Sequence, residues 1–76
     1  MNKQRRKEID NLISDAIRLE TSIEDLLADE QDYFDNMPEN LQSSDKAEIA
    51  ENAISCLEEA LSNIQDLLDN LSEAMD

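Results

Sequence analysis

The chain has no glycine, histidine or tryptophan, and among its 76 residues there are one cysteine, one proline and two aromatic rings. Each scarcity removes a class of chemistry. Without histidine the usual zinc sites lose their ligands, and one cysteine permits no internal disulfide. Without glycine there is no phosphate-cradling loop. The stretch "DEQDYFDN" carries three aspartates but lacks the glycine that an EF-hand calcium loop needs at its sharp turn. A nucleophile activated by histidine or by a positioned lysine is not to be found. The expectation is a chain with no catalytic residues, no cofactor and no metal.

No apolar run reaches the length of a membrane span, and no hydrophobic segment follows the basic start "MNKQRRK" as a signal peptide would require. The sequence therefore predicts a cytoplasmic protein without membrane contact. Its lone Cys56 suits a reducing compartment and reads as a small, half-buried hydrophobe. A chain this short is one domain, and its own core has difficulty offsetting its conformational entropy. With disulfides and metals set aside, oligomerisation remains.

What the chain has in abundance is acid: 20 acidic against 6 basic residues, a net charge of −14. The distribution is uneven. Residues 1–7 carry Lys3, Arg5, Arg6 and Lys7 without an acid, whereas from Leu19 onward 17 acids face a single base, Lys46. Such charge can accompany disorder, but 39% hydrophobic residues in strict register argue for helices.

The first register is Ile9, Leu12, Ala16, Leu19, Ile23, Leu26, Glu30, Tyr33 and Met37, alternating steps of three and four in the a/d pattern of a heptad. Ile13, Leu27 and Phe34 flank it at position e. The second is Ala50, Ala53, Leu57, Ala60, Ile64, Leu67, Leu71 and Ala74, flanked at e by Ile54, Leu61, Leu68 and Met75. Apolar rows at a, d and e make a face too broad for one neighbour. The fold class predicted is all-α: residues 1–76 form an antiparallel helical hairpin, with helices at about 4–35 and 45–75 and a turn at 36–43. Two hairpins then pack as a homodimeric four-helix bundle. Its dimer core is assigned to Leu12, Leu19, Ile23 and Leu26 on the first helix, and to Leu57, Leu61, Ile64, Leu67, Leu68 and Leu71 on the second.

Pro38 cannot continue a helix and disfavours helical angles at Met37, which ends the first helix near Asp35 or Asn36. Ser44 or Asp45 can cap the second, and Asp45 with Glu48 has the spacing of a capping box. Tyr33, Phe34, Met37 and Leu41 read as a plug closing the end of the bundle. An antiparallel hairpin returns Arg5, Arg6 and Lys7 to the neighbourhood of Asp69, Glu73 and Asp76. Exposed pairs of this kind contribute little, and charges of these signs oppose both helix dipoles, so the first residues are expected to fray.

Off the a/d seam lie Asp25, Asp29, Asp32, Asp35 and Glu51, together with Glu58, Glu59, Asp66, Asp69 and Glu73. They form a candidate partner-binding surface. Duplex DNA carries about 24 charges over 40 Å, and a helix of roughly 27 residues spans about that length. An acidic hairpin of this kind can occupy a basic, nucleic-acid-binding site on another protein without binding nucleic acid itself. The alternative is a structural or assembly module acting through its apolar faces. A remote one is a magnesium-dependent nucleotide hydrolase using Glu48 with Glu51 or Asp66 with Asp69, pairs that chance alone supplies in so acidic a chain.

The segments "MNKQRRKEI", "DNMPENLQSS" and "EIAENAISCLEEALSNIQDLLDNL" together resemble a group of small acidic helical proteins of bacteriophages, prophages and mobile elements. The resemblance spans nearly the whole chain and is most specific at Asn36 to Gln42. It implies a setting, a phage-like accessory protein in a bacterial host's cytoplasm, and in that setting the acidic surface suggests an anti-defence role against a basic host protein. The resemblance implies no site residues.

Overall fold

A computed structural model describes residues 1–41 and 43–75. Two long helices, α1 (Lys3–Asp35) and α2 (Asp45–Met75), pack against each other along their length, and there is no strand among the described residues. The molecule measures 59 × 14 × 13 Å. Its radius of gyration is 17.3 Å, against about 11 Å for a compact domain of this length. The hairpin is a long, narrow rod.

Local chemistry fixes each helix end. Asn2 adopts an extended backbone and its side-chain oxygen accepts the Arg5 amide at 2.8 Å, closing the first turn of α1. That cap gives the start of α1 a contact that the basic cluster alone does not suggest. At the other end the Asn36 amide and side chain both donate to the Asp32 carbonyl, and Met37 N–H bonds the Phe34 carbonyl at 3.2 Å. Past Pro38 the chain makes one 3-10 turn, Glu39–Leu41, with Leu41 N–H on the Pro38 carbonyl at 2.9 Å. Ser44 caps α2: its hydroxyl oxygen lies 3.5 Å from the Ala47 amide, and its carbonyl accepts the Glu48 amide in the first helical bond. The cap thus falls one residue before Asp45, and the Asp45–Glu48 spacing does not act as a capping box. Gln42, in the turn motif, lies outside the described residues.

The seam between the helices runs through rows a and e, not a and d. On α1 the less exposed residues are Ile9, Ile13, Ala16, Glu20, Ile23, Leu27, Glu30, Phe34 and Met37. On α2 they are Ala47, Ala50, Ala53, Ile54, Leu57, Ala60, Leu61, Ile64, Leu68, Leu71 and Met75, that is, rows a and e together with the small d-row residues Ala53 and Ala60. The α1 set, and rows a and e of α2, alternate three and four as an a/d set would. The physical reason lies in the side chains of α2. Its e row is Ile54, Leu61, Leu68 and Met75, whereas three of the four residues in its d row are alanines. Burying the bulkier row removes more apolar area from water. α1 follows with Ile13, Leu27 and Phe34, and half-buries Glu20 in the process.

The result is a thin core. Among the described residues the buried side chains are Ala16, Met37, Ala47, Ala50 and Ile64, and no large side chain is fully buried. The turn plug is smaller than the sequence suggested. Met37 is buried and Phe34 half-buried, but Tyr33 and Leu41 are exposed.

Candidate functional surface

The d row of α1, with Leu67 on α2, is what the fold leaves over, while Ala53 and Ala60 of the α2 row are half-buried. Leu12, Leu19, Leu26 and Tyr33 are 52, 54, 57 and 53% exposed, and Leu67 on α2 is 45% exposed. Successive residues of an α-helix advance by 100°, so the d row lies about 80° to one side of the a/e seam on each helix. Because the helices are antiparallel, that is the same side of the hairpin for both. The turn end gives direct evidence, since Tyr33 and Lys46, the first d residues on either side of the turn, line one groove with Glu30, Ile49 and Ala50. Stepping seven residues away from the turn on both helices sets Leu26 level with Ala53, Leu19 with Ala60, and Leu12 with Leu67. Three of the four matched levels are wholly apolar, and the fourth, at the turn end, sets Tyr33 beside Lys46; together they make one continuous face.

Along its centre that face carries one acid, Glu30 beside Lys46 at the turn end, and on α2 its border is clear of acid. The outer flank on α2 is Ile49, Cys56, Asn63 and Asn70, all uncharged, and Ile49 is 69% exposed. The flank on α1 is Glu8, Asp15, Ser22 and Asp29. The opposite side of the hairpin is polar, with Asp10, Glu24, Glu51, Glu58 and Gln65 on it and Ile17 as an isolated apolar residue. In a chain of net charge −14, one side has been kept apolar. Cys56 is exposed on its border, not half-buried.

The accessible surface is 5769 Å², whereas a compact monomer of 8.7 kDa exposes about 4,700 Å². The surplus of about 1,000 Å² is close to the roughly 800 Å² per partner that a standard protein interface takes.

The ten candidate partner-binding acids, Asp25, Asp29, Asp32, Asp35, Glu51, Glu58, Glu59, Asp66, Asp69 and Glu73, are all exposed. Asp25, Asp32, Glu59, Asp66 and Glu73 sit at position c, pointing away from the seam. Asp29 and Asp32 also rim a second, mostly apolar hollow of about 440 Å³ beside the turn, lined further by Tyr33, Met37, Pro38, Leu41 and Lys46. The expected pairing of Arg5, Arg6 and Lys7 with Asp69 and Glu73 is not formed. Among the described residues the single ion pair is Arg18 with Asp15, one turn apart on α1, and Asp76 lies outside them. The exposed length of these long side chains explains this, because solvent competes for both partners.

The hairpin's length also revises the charge-density argument. Fourteen net charges over 59 Å amount to one per about 4 Å, well below the one per 1.7 Å of duplex DNA. Two hairpins side by side reach one per about 2 Å. Glu48, Glu51, Asp66 and Asp69 are exposed, and among the described residues no cluster of three or more potential ligands is placed to hold a metal. No described helix is long and apolar enough to cross a membrane. Compared with protein-family models, curated proteins and solved structures, the chain matches none.

Proposed function

We propose that the protein is a protein-binding module that works as a homodimeric four-helix bundle. The apolar d-row face is taken up by a second copy, and the acidic outer surface is left for a partner. The observation that carries this reading is the continuous face built by Leu12, Leu19, Leu26 and Tyr33 with Ala53, Ala60 and Leu67. A hairpin with so thin a core gains most by covering that face, and the surplus of about 1,000 Å² is of the size that a standard interface removes from each partner. Sedimentation equilibrium before and after a charge is placed at Leu19 tests it.

A second reading concerns the partner, and the exposure of all ten acids favours it. The dimer presents 28 net negative charges along 59 Å, which suits a basic, nucleic-acid-binding site on a host protein. Dimerisation is a precondition here, since one hairpin alone falls well short of the charge density of DNA. A bacterial host under phage attack is the setting that the sequence resemblance supplies for it. Capture of the partner at physiological salt, with DNA as competitor, tests this reading.

A further inference from the structure

We propose that the two hairpins of the dimer lie with their turns at the same end, so that α1 of each protomer packs on α2 of the other. The proposal rests on the reading that a second copy covers the d-row face, and it specifies how that copy sits. Face-to-face packing of two hairpins by a two-fold axis allows two arrangements. With the axis across the bundle, turns point to opposite ends and each helix packs on its own counterpart. With the axis along the bundle, turns share an end and each helix packs on the other kind.

The side chains of the two rows distinguish the arrangements. The α1 row is large throughout, whereas the α2 row is small at Ala53 and Ala60. Packing like on like sets Leu12 against Leu26 and Leu19 against its own copy along one edge, and alanine on alanine at Ala60 along the other. The separation of packed helices follows their side chains, so such a bundle is splayed on one edge and pinched on the other. Packing unlike helices gives Leu19 on Ala60 and Leu26 on Ala53 at both edges, which keeps the spacing even. Tyr33 then meets Lys46, an aromatic face against a cation.

The flanking rows agree. Acids border the face only on α1, at Glu8, Asp15 and Asp29; the α2 border is uncharged. With turns together, Glu8 lies level with Asn70, Asp15 with Asn63, and Asp29 with Ile49. Ser22 lies level with Cys56; its hydroxyl already donates to the Arg18 carbonyl at 3.1 Å and requires nothing across the interface. With turns apart, Glu8 is brought against Asp29, a like-charge pair at each end. Turns together does place two acidic turns side by side, but those carboxylates stay in water, where salt screens them within about 8 Å.

The turns themselves report the arrangement. A spin label is placed at the exposed turn position 43 by Ser43→Cys in a Cys56→Ser chain, and the label-to-label distance is read by double electron–electron resonance. With helix axes 8–10 Å apart, turns at one end give a distance of roughly 10–30 Å. Turns at opposite ends give one near the 59 Å length of the hairpin, which overturns the orientation but leaves the dimer standing. Absence of any dipolar coupling at micromolar protein removes the dimer itself. Oxidative cross-linking gives a second readout. Ser22→Cys is expected to form a covalent dimer through native Cys56, identified as a 22–56 link by peptide mass. Efficient cross-linking of Asn63→Cys to Cys56 instead, with none from Ser22→Cys, contradicts the proposal.

Discussion

Tyr33 on α1 and Lys46 on α2 line the same groove, although thirteen positions and a turn separate them in the chain. This one relationship fixes the side of the hairpin on which both d rows lie. From it the heptad step carries the matched levels down the rod, and the apolar face follows. The unusual residues gathered in "YFDNMPENLQ" are therefore divided in their work. Met37 and Phe34 close the end of the core, Pro38 stops the helix, and Tyr33 belongs to the exposed face.

A charge in the centre of that face discriminates between an interface and a solvated surface. Leu19→Glu is expected to abolish the dimer, because it buries an unpaired carboxylate from each protomer near the two-fold axis, a loss of several kcal/mol. Ile17→Glu is the matched control. Ile17 is 48% exposed, much like Leu19, but lies on the polar side, and its replacement is expected to leave association unchanged. Equal effects of the two substitutions on sedimentation mass count against the face.

Residues in the a/e seam behave differently. Ile64→Ala removes a side chain only 7% exposed, and is expected to lower unfolding free energy by about 2–4 kcal/mol in denaturant titration. Leu67→Ala is expected to act chiefly through protein concentration, weakening the dimer while sparing the hairpin contacts. If Leu67→Ala and Ile64→Ala shift the midpoint alike at every concentration, Leu67 belongs to the hairpin core.

The two long helices were legible in the sequence, because the three-and-four alternation is unbroken in both and Pro38 punctuates them. Which rows meet was not. Rows a with d and rows a with e have the same alternation, so periodicity cannot separate them; the deciding quantity is that Ile54, Leu61, Leu68 and Met75 outweigh Ala53, Ala60, Leu67 and Ala74. The Asn2 cap had a signal of its own, an asparagine just before the helix, but the argument from the basic cluster pointed the other way. The exposure of the acids was readable from their positions. Their purpose was not, since a solvated face and a binding face have the same sequence pattern.

At the α2 start, Ser44→Ala is expected to cost about 0.5–2 kcal/mol, while Asp45→Ala costs less. Urea titration of the two variants measures this directly. A larger loss for Asp45→Ala assigns the cap to Asp45 instead.

Salt separates self-association from partner binding. Two protomers of −14 repel each other, so the dimer is expected to tighten as salt rises, whereas capture of a basic partner weakens. Reversal of Glu58, Glu59 and Asp66 to lysine is expected to leave the dimer intact and reduce partner binding at least tenfold at physiological salt. Unchanged capture by the triple variant, with no competition from DNA, removes the nucleic-acid-like reading.

The central claim is that the d-row face is covered by a second copy, and sedimentation equilibrium of the unmodified chain at micromolar concentration in physiological salt tests it most directly. The account predicts a mass of twice the 8.7 kDa chain. A fully helical species sedimenting at the single-chain mass contradicts it.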